Sequence, residues 1–99
     1  MPSHDNNPEI QLAACRVRID EVDRRLVAIL NERTEIVEKI GQLKKDAALP
    51  VYEPTREEAV YANIAAANNG PLPTPAVRRI FERIMDEMRK VQKERMIAG

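Results

Sequence analysis

Between Pro8 and Lys45, apolar residues recur at Leu12, Cys15, Ile19, Val22, Leu26, Ile29, Ile36, Ile40 and Leu43, and Arg33 takes the slot midway along the seam. The steps alternate three and four, a heptad rhythm held for more than four repeats. Pro8 and Glu9 suit a first helical turn, no later proline interrupts the run, and no glycine precedes Gly41. The spacing therefore predicts a helix on the order of 50 Å long at ~1.5 Å per residue. A globular chain of this size has no need of one so long.

"DAALP" ends that run, and "VYEPTREEAV" opens a second. Pro54 suits a first helical position, with Glu57 and Glu58 completing an acidic first turn. This short helix carries Val60, Tyr61, Ile64 and Ala67 on one side, and "NNGPLP" stops it, with Gly70 expected as the left-handed terminator. In "TPAV", Thr74 is expected to cap and Pro75 to open a third helix. Its stripe is Val77, Ile80, Phe81, Ile84, Met88 and Val91. Arg78, Arg79, Arg83, Arg89, Lys90 and Lys93 alternate with Glu82, Asp86, Glu87 and Glu94, the pattern of a solvated face. No strand pattern or internal repeat appears. The expected fold class is all-α, three helices in the order long, short, medium.

Composition narrows the function. Only three of 99 residues are aromatic, so long helices, or association with a second copy of the chain, are expected to supply the missing burial. Sixteen basic and sixteen acidic residues balance, which argues against a general nucleic-acid binder. One cysteine, Cys15, forms no intrachain disulfide, and no metal-ligand set is apparent. The one histidine, His4, lies in a polar tail expected at 1–8, with one helical domain over 9–99. No run approaches the ~18 apolar residues of a membrane span, and no secretory signal is visible, so a cytoplasmic protein is expected.

The charges on the inward faces carry the chemistry. At about 100° per residue, Arg33 falls at the centre of the first helix's apolar arc and Lys44 within about 20° of it. Burying an unpaired guanidinium costs several kcal/mol. One reading pairs Arg33 with Glu57 or another acid to fix helix register; the other presents it to an anionic ligand. Glu53, Arg56 and Glu57 gather at the first turn of the second helix, and Gln92 lies beside Met88 and Val91 on the third. Together these describe a small aliphatic-lined pocket holding cations, an amide and an acid, suited to a compact dianion.

Arg16 borders the same arc but lies 17 residues before Arg33, roughly 25 Å along the axis. One chain cannot bring both to one small ligand through this helix. The seam is nearly symmetric about residues 27 and 28, so an antiparallel partner would set its Arg16 opposite position 39, between Arg33 and Lys44. The spacing predicts a two-fold dimer with two shared sites.

"RIDEVDRRLVAILNERTEIVEKIGQLK" followed by "PVYEPTREEAV" resembles the all-helical (AroQ-class) chorismate mutases, with a weaker echo ending at Gln92. The ordered set is I-D-x-x-D, then N-E-R, then G-x-x-K, then P-x-R-E. The resemblance implies an intertwined three-helix homodimer and the rearrangement of chorismate to prephenate on the way to phenylalanine and tyrosine, with no cofactor and no metal. It further implies that Arg33 and the partner subunit's Arg16 hold the substrate carboxylates, and that Lys44 and Gln92 bond the ether oxygen. Glu57 and the backbone near Glu53 would receive the ring hydroxyl, and Arg56 would support that acidic end. Two positions depart from the family: Glu53 where aspartate is frequent, and Met88 where a small hydroxyl residue is known. Methionine donates no hydrogen bond, so that contact would be lost or served by water.

Such a reaction is intramolecular and pericyclic, which agrees with a site holding no nucleophile beside a base and no glycine-rich phosphate loop. The alternatives are an isochorismate pyruvate lyase and a non-catalytic helical dimerisation or regulatory module of a shikimate-pathway enzyme. Association with another enzyme of that pathway is a further expectation.

Overall fold

The computed structural model describes residues 7–98. The expected loose tail, His4 included, lies outside the described residues except for Asn7 and Pro8, which belong to the first helix start. Three helices make up the fold: α1 (Pro8–Asp46), α2 (Pro54–Ala67) and α3 (Thr74–Ala98). No strand occurs among the described residues. The chain divides into two compact units, Met1–Arg33 and Thr34–Gly99, and α1 contributes to both.

In the first unit, the Asn7 side chain accepts the Glu9 N–H at 2.8 Å, capping α1 immediately before its first-turn proline. Every residue from 7 to 29 is exposed. The heptad positions Leu12, Ile19, Val22, Leu26 and Ile29 are each about half exposed. The predicted seam is present, but nothing in a single copy covers it.

The second unit holds the core: Val37 on α1 and Met85 and Met88 on α3 are buried. The buried face of α1 here is Val37, Gly41 and Lys44, at spacings of four and three. It is offset by one residue from Ile36, Ile40 and Leu43, which remain exposed. Helix α1 thus presents two adjacent stripes, one taken by α3 and one uncovered. Gly41 permits the close approach: a Cβ there would meet Gln92 Cα at 3.3 Å and Arg95 Cβ at 3.4 Å. An ion pair between Arg95 and Glu38 flanks the contact.

The end of α1 is a Schellman turn. Leu49 N–H donates to Lys44 C=O at 2.8 Å and Ala48 N–H to Lys45 C=O at 3.2 Å, with Ala48 in the left-handed region at φ 55°. The reversal returns residues 49–53 towards the last turns of α1.

Three sequence expectations need correction. Thr74 does not cap α3: Pro73 C=O accepts the first helical N–H groups, and the Thr74 hydroxyl instead bonds the Asn68 side-chain amide at 3.0 Å. Proline retains its carbonyl, so the turn is closed by backbone while Asn68 ties the α2–α3 loop. Gly70 is left-handed (φ 71°), yet α2 ends earlier, at an extended Asn68. On α3, Ile80 is exposed and Met85 takes a core place that the expected stripe omitted.

Candidate active site

Lys44 is the centre of the second unit's polar cluster. Its residue is only 7% exposed, and a buried ammonium without partners would cost several kcal/mol. Its Nζ donates to Val51 C=O at 2.9 Å and to Gln92 Oε1 at 2.9 Å, and lies 2.7 Å from Glu53 Oε1. Three acceptors, two from the α1–α2 linker and one from α3, match the three protons of an ammonium. The Schellman turn accounts for two of them, since it brings Val51 and Glu53 back beside the helix they follow.

Those contacts fix Gln92 as well. Its Oε1 accepts from Lys44, so its amide NH2 remains as a donor. Glu53 sits at the N-cap of α2 but makes no side-chain cap hydrogen bond. Its carboxylate has gone to Lys44, and the first turn of α2 lacks a side-chain acceptor for its N–H groups. The glutamate side chain is long enough to reach the ammonium.

Glu57 is half-buried. Its Oε2 lies 2.9 Å from Arg89 Nε, and Arg89 Nη2 lies 2.6 Å from Asp86 Oδ1. The Arg89 guanidinium also stands 5.8 Å from the Tyr52 ring centroid. Arg89, read from sequence as part of a solvated face, is instead an inter-helix partner of a candidate site acid. Only the packing of α2 on α3 distinguishes it from the neighbouring surface arginines. Met88 is buried, and the Thr34 hydroxyl donates to its sulfur at 3.5 Å. Arg56 is exposed at the first turn of α2.

The structure thus brings together Lys44, Glu53 and Gln92, and ties Glu57 to α3 through Arg89. Arg16 and Arg33 belong to the first unit; Arg16 is exposed, while Arg33 is half-buried and engaged with partners of its own. The carbonyl of Val51 had no sequence signal, because any residue supplies one. No group of three or more histidine, cysteine or acidic side chains among the described residues is arranged to hold a metal ion. An open groove of about 480 Å³, lined by Glu35, Glu38, Lys39, Gln42 and Arg95, contains none of the grouped site residues.

The profile of the family described as chorismate mutase type II matches residues 15–93. This chain belongs to that family. A bifunctional chorismate mutase/prephenate dehydratase of Neisseria gonorrhoeae is 41% identical over 83 residues, covering 84% of this chain and 22% of that protein. A chorismate mutase of Methanocaldococcus jannaschii is 30% identical over 54 residues, 54% of each chain. Among solved structures, a chorismate mutase of Thermus thermophilus aligns with a TM-score of 0.82 at 34% identity, covering 84% of this chain and 94% of that one. The chain spans about a quarter of the length of the bifunctional relatives, 22%, 25% and 26% for three of them. The all-helical, three-helix architecture seen here matches the chorismate mutase fold.

Proposed function

We propose that this chain rearranges chorismate to prephenate in a site shared between two copies. The observation that carries the reading is the junction of Lys44 with Gln92, a cation and an amide on facing helices, in a member of the type II chorismate mutase family. The reaction breaks a C–O bond and forms a C–C bond within one molecule. Negative charge grows on the ether oxygen as the bond breaks, and preorganised donors aimed at that atom lower the barrier. Lys44 trades one of its three contacts for the ether oxygen, and Gln92 donates through its NH2. Arg33 and the partner subunit's Arg16 grip the two carboxylates in the folded, chair-like conformer, which removes orientational entropy. Glu57 receives the ring hydroxyl, with Arg56 beside that end.

The homodimer belongs to this proposal. The first unit is a helical segment whose residues 7–29 are all exposed, and a helix with no packed face gains little from propensity alone. Its heptad seam and the uncovered Ile36, Ile40 and Leu43 form a stripe suited to an antiparallel second copy. No helix among the described residues is long and apolar enough to cross a membrane; a cytoplasmic setting, and association with a further shikimate-pathway enzyme, are part of the proposal. The fusion to a prephenate dehydratase named for the Neisseria gonorrhoeae relative supports the second.

The test is direct. Purified protein is mixed with chorismate, and the loss of chorismate absorbance and appearance of prephenate are followed, with isochorismate in a parallel cuvette. Conversion of chorismate to prephenate without pyruvate release is the expected result. Unchanged chorismate, or pyruvate from isochorismate alone, refutes the assignment.

A further inference from the structure

Arg89 is a polar group on α3 that neither the core nor the proposed chemistry has used. Its surroundings are specific. One guanidinium edge is anchored by Asp86, three residues earlier on the same helix, at 2.6 Å. Its Nε is fully buried and lies 2.9 Å from Glu57 Oε2, yet the N–H is not aligned for a hydrogen bond, and Nε has no hydrogen-bond partner at all. A buried donor left without a bond costs free energy unless a rearrangement completes it. Among the described residues, Glu57 is the acid paired with Nε, and a turn of its carboxylate would close the bond.

We propose that Arg89 is a positioning residue for Glu57, with the Arg89 Nε–H to Glu57 Oε2 hydrogen bond completed as the substrate's ring hydroxyl engages the other carboxylate oxygen. The inference rests on the function proposed above and assigns a residue to it. Asp86 holds the guanidinium on α3; the guanidinium holds one edge of the Glu57 carboxylate; the other edge receives the hydroxyl. The device links hydroxyl recognition on α2 to α3, the helix that carries Gln92. Arg89 therefore acts on substrates that present the hydroxyl, and acts through Glu57 alone.

The experiment compares wild type, Arg89→Leu, Arg89→Lys, Glu57→Gln and the Arg89→Leu/Glu57→Gln double variant, all on chorismate. Folding of each is checked by circular dichroism. Arg89→Leu should lower kcat/KM about 10- to 100-fold, and Arg89→Lys should recover part of the loss. The double variant should be no worse than Glu57→Gln, because both remove one interaction. On the chorismate analogue with hydrogen in place of the ring hydroxyl, Arg89→Leu should match wild type. If Arg89→Leu does not fold, Arg89→Gln is read in its place by the same criteria. Retention of kcat/KM within twofold, multiplicative effects in the double variant, or an equal loss on the deoxy analogue would each overturn the assignment. An inactive wild type overturns the functional reading and this inference with it; an active wild type indifferent to Arg89 overturns this inference only.

Discussion

A charged side chain in a helix seam is tolerable only when its partners are supplied, and Lys44 shows how. Its ammonium meets a backbone carbonyl, an amide oxygen and a carboxylate, so none of its protons is left dry. Lys44→Ala should cost about 3–4 kcal/mol of transition-state stabilisation, roughly 10²–10³ in kcat. Steady-state turnover near wild type in a folded Lys44→Ala variant would remove this residue from the reaction. Glu53 acts one step back: Glu53→Gln weakens the bond that aims the ammonium and should lower kcat/KM about tenfold. An unchanged value would show that Val51 and Gln92 suffice. Gln92, a proposed donor to the ether oxygen, has no titrating group, so activity should stay flat between about pH 6 and pH 8.

Among the elements, the contact of α1 with α3 sets the site's dimensions. Gly41 is its thinnest point, where an added Cβ would sit 3.3 Å from Gln92 Cα. Gly41→Ala raises intrinsic helix propensity by about 1 kcal/mol while pushing Gln92 outward by a few tenths of an ångström. The expected result is a near-unchanged Tm with kcat down several-fold to about tenfold; full activity would mean that α3 gives way without moving the donor. The end of α1 offers the opposite case. Ala48 holds φ 55°, a conformation that glycine adopts without a Cβ penalty, so Ala48→Gly should stabilise the fold by about 1 kcal/mol in chemical denaturation. Between α2 and α3, the Tyr61 phenol lies under the Arg78 guanidinium at 3.8 Å. Burial pushes its pKa above 10.0, and Glu82 adds to the rise. The folded state thus favours the protonated phenol. Its contribution is intact below pH 10 and is lost as pH climbs from there through the raised folded value; a phenolate titration against denaturation midpoints checks the sign.

For the whole molecule, the decisive quantity is the number of chains per site. If the site is shared as proposed, Arg16→Ala and Lys44→Ala variants should each be nearly inactive on their own. Refolded together at equal amounts, random pairing makes half the dimers mixed, and each mixed dimer holds one intact site, so about a quarter of wild-type activity should return. No recovery would mean that each site is built from one chain. Leu26→Glu with Ile29→Glu places like charges on the exposed seam, where both residues are now more than half exposed. Sedimentation should then report monomers, with loss of helical signal from the unpaired segment.

The sequence by itself determined the helices and nominated the residues of the candidate site. Heptad spacing in α1, proline at two helix starts and the ordered Arg33, Lys44, Glu57 and Gln92 are local or periodic features, and local features survive without coordinates. Tertiary structure decided which stripe of α1 faces α3, because Ile36 and Val37 are equally apolar and only the Gly41 approach selects the latter. It also decided that Asn68 takes the Thr74 hydroxyl, that the Glu53 side chain serves Lys44 and not its own helix, and that Arg89 differs from the solvated arginines around it. Each of those is a choice between partners far apart in the chain, and a one-dimensional pattern carries no distance across the fold.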